Sequence, residues 1–194
     1  MKRLVTALSF VCALLIAAPA GSENRAWKID EAPKEWTGAI ARGDAGIEAL
    51  KKGLMGKLKK QIAEGGPVSA IHLCHDEAQA ITARMASEQG ITMGRTSHKL
   101  RNPANAPRDW VAAYVETSAG KKADAVESMA VDLGDRVGVI RPIGTMGLCL
   151  NCHGARETLS PEVRKALAEQ YPEDQATGFA LGDVRGLFWA EVPK

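Results

Sequence analysis

Apolar residues recur at intervals of three and four from Asp44 to Glu64, at Ile47, Leu50, Leu54 and Leu58, which predicts an amphipathic helix. Lys51, Lys52, Lys57, Lys59 and Lys60 flank that seam and read as its solvated face. Gly65-Gly66-Pro67 stops the pattern and starts another. The second helix is predicted from about Val68 to Ser87, with Ile71, Cys74, Ala78, Ile81 and Met85 on one face. Gly90 closes it, and Ile91 to Thr96 reads as a strand. Arg101-Asn102-Pro103-Ala104-Asn105-Ala106-Pro107 is a turn-rich loop, because a residue before proline avoids the helical region. A short helix follows over Asp109 to Thr117, and Val131 to Ile143 contains a strand at Val137–Ile140. Ser160 and Pro161 mark a helix start, as N-cap and first residue, for a helix reaching about Gln170. Gly186 to Val192 is the last predicted strand. Helices come first and strands later, so the expected class is α+β, with no internal repeat or low-complexity segment.

The two ends of the chain differ in character. Lys2 and Arg3 precede an apolar run from Leu4 to Ala18, and Ala18-Pro19-Ala20 supplies small residues for a peptidase. Residues 1–20 are therefore expected to be a secretory signal peptide cut before Gly21, which places the mature chain in the periplasm. The run is short for a membrane span, and no later segment would cross a bilayer. Residues 21–43 read as an N-terminal linker with Trp27 and Trp36 as packing anchors, and residues 44–194 as one domain.

Loss of the leader changes two counts. The whole chain carries 25 basic and 23 acidic residues, and Lys2 and Arg3 leave with the leader, so the mature chain is formally neutral. That argues against a nucleic-acid partner, which calls for a basic excess. Of four cysteines, Cys12 leaves and Cys74, Cys149 and Cys152 remain. Cys12 lacks a convincing lipobox, so no lipid anchor is expected. An odd number of thiols in an oxidising compartment asks for a role other than pairing.

Cys149-Leu150-Asn151-Cys152-His153 supplies one, because C-x-x-C-H is the attachment signal for c-type haem. Two thiols three residues apart suit the two vinyl groups on one porphyrin edge. The next histidine then lies beneath the iron, so Cys149 and Cys152 are the expected thioether links and His153 the proximal ligand. Two alternatives are weaker. A redox dithiol belongs in a βαβ unit, which is not evident here. A zinc site would need a fourth ligand, such as Cys74 or His75.

No methionine or histidine follows His153, and Met146 is too close to the attachment point to reach the opposite face. A sixth ligand from the protein would come from Cys74, His72, His75, His98, Met55, Met85, Met93 or Met129. Cys74 shares the apolar seam of the second predicted helix, whereas His72 and His75 lie to either side of it. The unpaired thiol also favours Cys74. The residues themselves leave His75 and an open position as alternatives, and a small buried hydrophobe as the structural role for Cys74.

Several stretches occur in an order that resembles one family. They are Gly94-Arg95-Thr96-Ser97, the Arg101–Pro107 loop, C-x-x-C-H followed by Gly154, Tyr171-Pro172-Glu173-Asp174 through Gly178, and Gly182-Asp183-Val184-Arg185-Gly186. Over residues 65–192 the chain is similar to the PAS-like c-type haem domain first characterised in cyanobacteria and also found fused to sensor kinases. The resemblance implies a PAS-like antiparallel sheet flanked by helices, one covalently bound haem, and an axial His/Cys pair. Carried onto this chain, those ligands are His153 and Cys74. Arg95 and Arg101 are candidates for the haem carboxylates, because arginine pairs carboxylates through two hydrogen bonds.

The expected function is that of a periplasmic monohaem cytochrome with a low-potential haem, in electron transfer or in redox or gas sensing. Its partner would be a redox or signalling protein, with a small gas such as CO or NO as a ligand. The alternative is a small peroxidase-like haem enzyme with an open distal site, in which His75 would serve as acid or base. A four-helix cytochrome is disfavoured by the strand-like run Leu187–Val192 near the C-terminus.

Overall fold

The two helical seams belong to one long element, α1 (Thr37–Gln89), broken at Gly66. The structure, a computed structural model, describes residues 24–194, so the leader expected over residues 1–20 lies outside the described residues. Gly66 has φ 73° and ψ −176°, a conformation essentially reserved for glycine. Pro67 then starts the second arm with a preset φ. The arms fold back as a hairpin. Lys57 pairs with Glu77, Gln61 Nε2 donates to Ser69 Oγ at 2.5 Å, and the spacing of these partners closes toward the break. The first arm starts seven residues before the predicted Asp44, because Ala39, Ile40 and Gly43 carry its buried face back to Thr37.

Five strands form one antiparallel sheet in the order β1-β3-β4-β5-β2. They are β1 (Ala26–Lys28), β2 (Thr92–Thr96), β3 (Met129–Asp132), β4 (Arg136–Gly144) and β5 (Val184–Pro193). β4 is central and covered on both faces, which is why Val137-Gly138-Val139-Ile140 is an unbroken apolar run. Alternation sorts its side chains. Val137 and Val139 pack with Leu50 and Ile47 of α1, and with Ala190 and Val192 of β5. Ile140 faces the other way, toward α2 (Asp109–Ser118), where Val111 and Val115 meet Val131, Leu187 and Trp189. Trp110 of α2 covers Gly138, where an added Cβ would lie 2.7 Å from the indole. Val111, Val131 and Val139 are fully buried, each contributing roughly 1.5–3 kcal/mol relative to exposure.

The chain is therefore α+β, a single domain with a five-stranded antiparallel sheet flanked by helices, as expected. Residues 26–43 depart from the expected linker. β1 pairs with β3 through Ala26↔Val131 and Lys28↔Met129, and Trp27 meets Trp36 edge-on at 4.9 Å. Trp36 is buried in the main core. A three-residue strand carries almost no periodicity of its own, and only pairing with β3 makes it one. No described helix is long and apolar enough to cross a membrane.

A smaller cluster positions the site. α4 (Pro161–Gln170) is capped by Ser160, whose Oγ accepts from Val163 N at 3.3 Å. Val163, Ala166 and Leu167 pack against Ile71 of the second α1 arm and against Tyr171, with Val68 and Cys152 at the border. This contact ties the second arm to the segment around Cys152.

Candidate cofactor site

After β4, Thr145 is held by two backbone bonds to the Gly182–Asp183 turn, and the chain enters a 3-10 turn (Gly147–Cys149) and then α3 (Leu150–His153). Within this single turn Cys149, Cys152 and His153 stand at i, i+3 and i+4, which places them on one face. All three line a cavity of about 680 Å³, within the roughly 300–1,000 Å³ range of small-molecule and cofactor sites. All three described cysteines are free thiols. Burial pushes the Cys152 thiol above its usual range.

His153 is fixed by the loop after α4. Its Nδ1 donates to Ala176 O at 2.8 Å, which leaves Nε2 as the lone-pair nitrogen. Phe179 N and Gly178 N donate to His153 O and Gly154 O, closing the loop onto the motif. Burial, with Arg101 and Arg185 nearby, holds the imidazole well below its usual titration range. A neutral imidazole with a hydrogen-bonded Nδ1–H and an available Nε2 is the form that ligates a metal.

Arg101 lies beside this histidine but has structural work. Its Nε and Nη2 donate to Asp174 Oδ1 and Oδ2 at 3.1 and 3.0 Å, and Nη2 also donates to Cys152 O at 2.6 Å and Ala176 O at 3.2 Å. Nη1 lies 3.4 Å from His153 Nε2. Arg101 thus clips three segments together around His153, and its carboxylate partner is Asp174.

Cys74 enters the cavity from the second arm of α1, together with Ile71, Ala78 and Ile81 of the same seam. Burial raises its thiol above the usual range, opposed by Arg95, Arg101 and Arg185. The flanking histidines behave as the helical turn requires. His72 is exposed, and His75 is exposed with Nδ1 2.8 Å from Asp76 Oδ1 and its ring edge-on to Tyr171 at 5.4 Å. Neither lines the cavity. His98 is half-buried against Phe179, away from the cavity rather than on the surface, and burial lowers its pKa. Of the methionines weighed as ligands, Met55 lines the cavity, whereas Met93 is core, Met85 packs against that core and Met129 lies under α2. Among the described residues no three His, Cys, Asp or Glu side chains group closely enough to hold a metal ion.

Two cavity residues were not singled out as site residues from the sequence. Tyr171 is buried between the second α1 arm and Cys152, and burial pushes its phenol up to about 12. Arg185 owes its place to an irregularity between β4 and β5. Ile143 pairs with Gly186 and Gly144 with Val184, so residue 185 is the extra residue of a bulge. Strict alternation would put it on the face of Leu187 and Trp189, under α2; the bulge re-aims it to the cavity. Gly186 permits the bulge, because any Cβ there would collide with Thr96 O. The G-D-V-R-G stretch carried this signal, in its glycine beside an arginine.

The donor set fits a porphyrin: paired thiols, a neutral imidazole, a further thiol, apolar walls and half-buried guanidinium groups facing the same space. Fold and cavity together define an α+β protein built around a cofactor-sized pocket bearing an attachment motif. The chain belongs to the Tll0287-like family, whose model matches residues 25–193 and so includes the segment from β1 onward. Its fold is similar to the crystal structure of the cyanobacterial heme-protein Tll0287, with a TM-score of 0.59 and 23% identity over 84% of this chain and 98% of that chain. No curated protein matches it.

Proposed function

We propose that this chain is a periplasmic monohaem c-type cytochrome, with haem joined to Cys149 and Cys152 and ligated axially by His153 and Cys74. The observation that carries this reading is one cavity receiving all four side chains, from the Gly147–Cys149 turn, from α3 and from the second arm of α1. Bound haem would supply a one-electron couple, and would offer an iron position to a small gas if the Cys74 sulfur released it. The residues set its character. Ala176 O orients the imidazole, and Ile71, Ala78 and Ile81 line the cavity with the Cys74 sulfur. A metal ion deprotonates a coordinating thiol outright, against the burial that keeps free Cys74 protonated. An anionic sulfur ligand favours ferric iron, so the potential is low and the role is low-potential electron transfer or redox and gas sensing with a separate partner.

The peroxidase-like alternative needs an acid or base over an open distal site. His75 does not line the cavity, with Nδ1 beside Asp76 and its ring edge-on to Tyr171, which supports the carrier or sensor reading. The test is expression with haem-attachment machinery, followed by mass and absorption spectra of the oxidised, reduced and CO-treated protein. A haem-sized mass gain and a low-spin ferric spectrum with a thiolate charge-transfer band are expected, and Cys74→Ala should change the ferric spectrum. A colourless product of bare-peptide mass refutes the reading, and an unchanged C74A spectrum removes Cys74 as ligand.

A further inference from the structure

We propose that Arg95 and Arg185 form a buried clamp for the two haem carboxylates, so that this edge of the porphyrin points into the protein rather than to solvent. The inference rests on the haem reading above and adds the orientation of the group.

Six cationic side chains line the cavity: Lys51, Lys57, Arg95, Arg101, Arg141 and Arg185. Four already have carboxylate partners, namely Glu48 for Lys51, Glu77 for Lys57, Asp174 for Arg101 and Asp44 for Arg141. Arg141 is held on both sides, with Nε and Nη2 donating to the Asp44 oxygens at 2.7 and 2.5 Å. Among the described residues no ion pair takes up Arg95 or Arg185. Arg185 Nε is buried without any hydrogen-bond partner.

Burial and the neighbouring charge of Arg185 hold the Arg95 guanidinium below its usual range, with Cys74 opposing them. Two half-buried like charges without a counter-ion are costly, and an anion between them would offset that cost. Each guanidinium presents a planar fork that matches a carboxylate. Arg95 comes from β2 and Arg185 from the bulge in β5, the adjoining strand, so two rigid elements present the pair.

The test is carbodiimide-driven amidation of the intact holoprotein with a small amine, followed by proteolysis and mass analysis of the haem peptide containing Cys149 and Cys152. In the native wild type the haem carboxylates should react at least tenfold more slowly than after unfolding. Arg95→Gln and Arg185→Gln should each restore reactivity, and Arg95→Lys and Arg185→Lys should keep most of the protection. Native wild-type amidation at the unfolded rate overturns the clamp without touching the haem assignment, and needs no variant to fold. Protection unchanged in both glutamine variants also overturns it. A haem-free peptide from the wild type overturns the haem reading itself, and the clamp with it.

Discussion

Replacing Asp174 by alanine removes the carboxylate from the pair that organises the loop around His153. Arg101 is 14% exposed and Asp174 is 5% exposed, so solvent does little to screen the pair. The substitution leaves the guanidinium without a counter-charge, facing the Cys152 and Ala176 carbonyls and His153 Nε2, and strips Ala176 N of its acceptor at 2.8 Å. Breaking a buried pair from one side costs roughly 3–5 kcal/mol. At about 2–4 °C per kcal/mol for a chain of this size, the melting temperature should fall by roughly 6–20 °C. Thermal unfolding followed by circular dichroism measures this, with Arg101→Leu and the double variant completing a cycle. Removing both partners no longer leaves a buried charge, so the double variant should be more stable than the two single losses predict, by about 1–3 kcal/mol. Since His153 Nδ1 bonds to Ala176 O in the same loop, D174A should also alter the ferric absorption spectrum. A D174A protein within about 0.5 kcal/mol of wild type, or strict additivity in the cycle, would refute the reasoning.

Gly186→Ala forces a Cβ against the Thr96 carbonyl, which is backbone and cannot swing away, so a loss of about 1–3 kcal/mol in chemical denaturation is expected. A neutral result would mean that the bulge yields freely. Ser160→Ala removes the cap on Val163 N and should cost about 1 kcal/mol by the same assay. In the haem-free chain, His153 is neutral when folded and titrates at its ordinary 6.5 when unfolded, so below that pH the unfolded state binds more protons. Its contribution to stability is complete above pH 6.5 and is lost as pH falls toward the depressed folded value, at up to about 1.4 kcal/mol per pH unit. Denaturation between pH 7 and 5 should show this slope, flattened in His153→Gln; equal slopes in both chains would count against it.

Local signals made several elements legible. Ser160-Pro161 marks the start of α4 and Gly90 the end of α1, because capping and proline geometry act within one turn. The apolar run of β5 and the seam bearing Cys74 also needed no partner to be read. β1 was not legible, since it is a strand only through β3. Arg101 and Arg185 show the same divide. Both sit in recognisable stretches, but which one is free to meet an anion depends on Asp174, 73 residues from Arg101, and on a bulge defined across two strands.

Sequence alone determined which chemistry is available. C-x-x-C-H fixes the spacing of two thiols and an imidazole within one helical turn, and the three-and-four rhythm sets Cys74 apart from His72 and His75. Only the tertiary structure decided where that chemistry is aimed. The reversal at Gly66 carries Cys74 back along the first arm to the cavity that α3 enters, and pairing consumes four cavity cations while leaving two. The physical reason is range. Spacing and propensity act over a few residues, whereas ion pairing, burial and strand register join groups from distant parts of the chain, and those contacts exist only once the sheet and the hairpin have closed on each other.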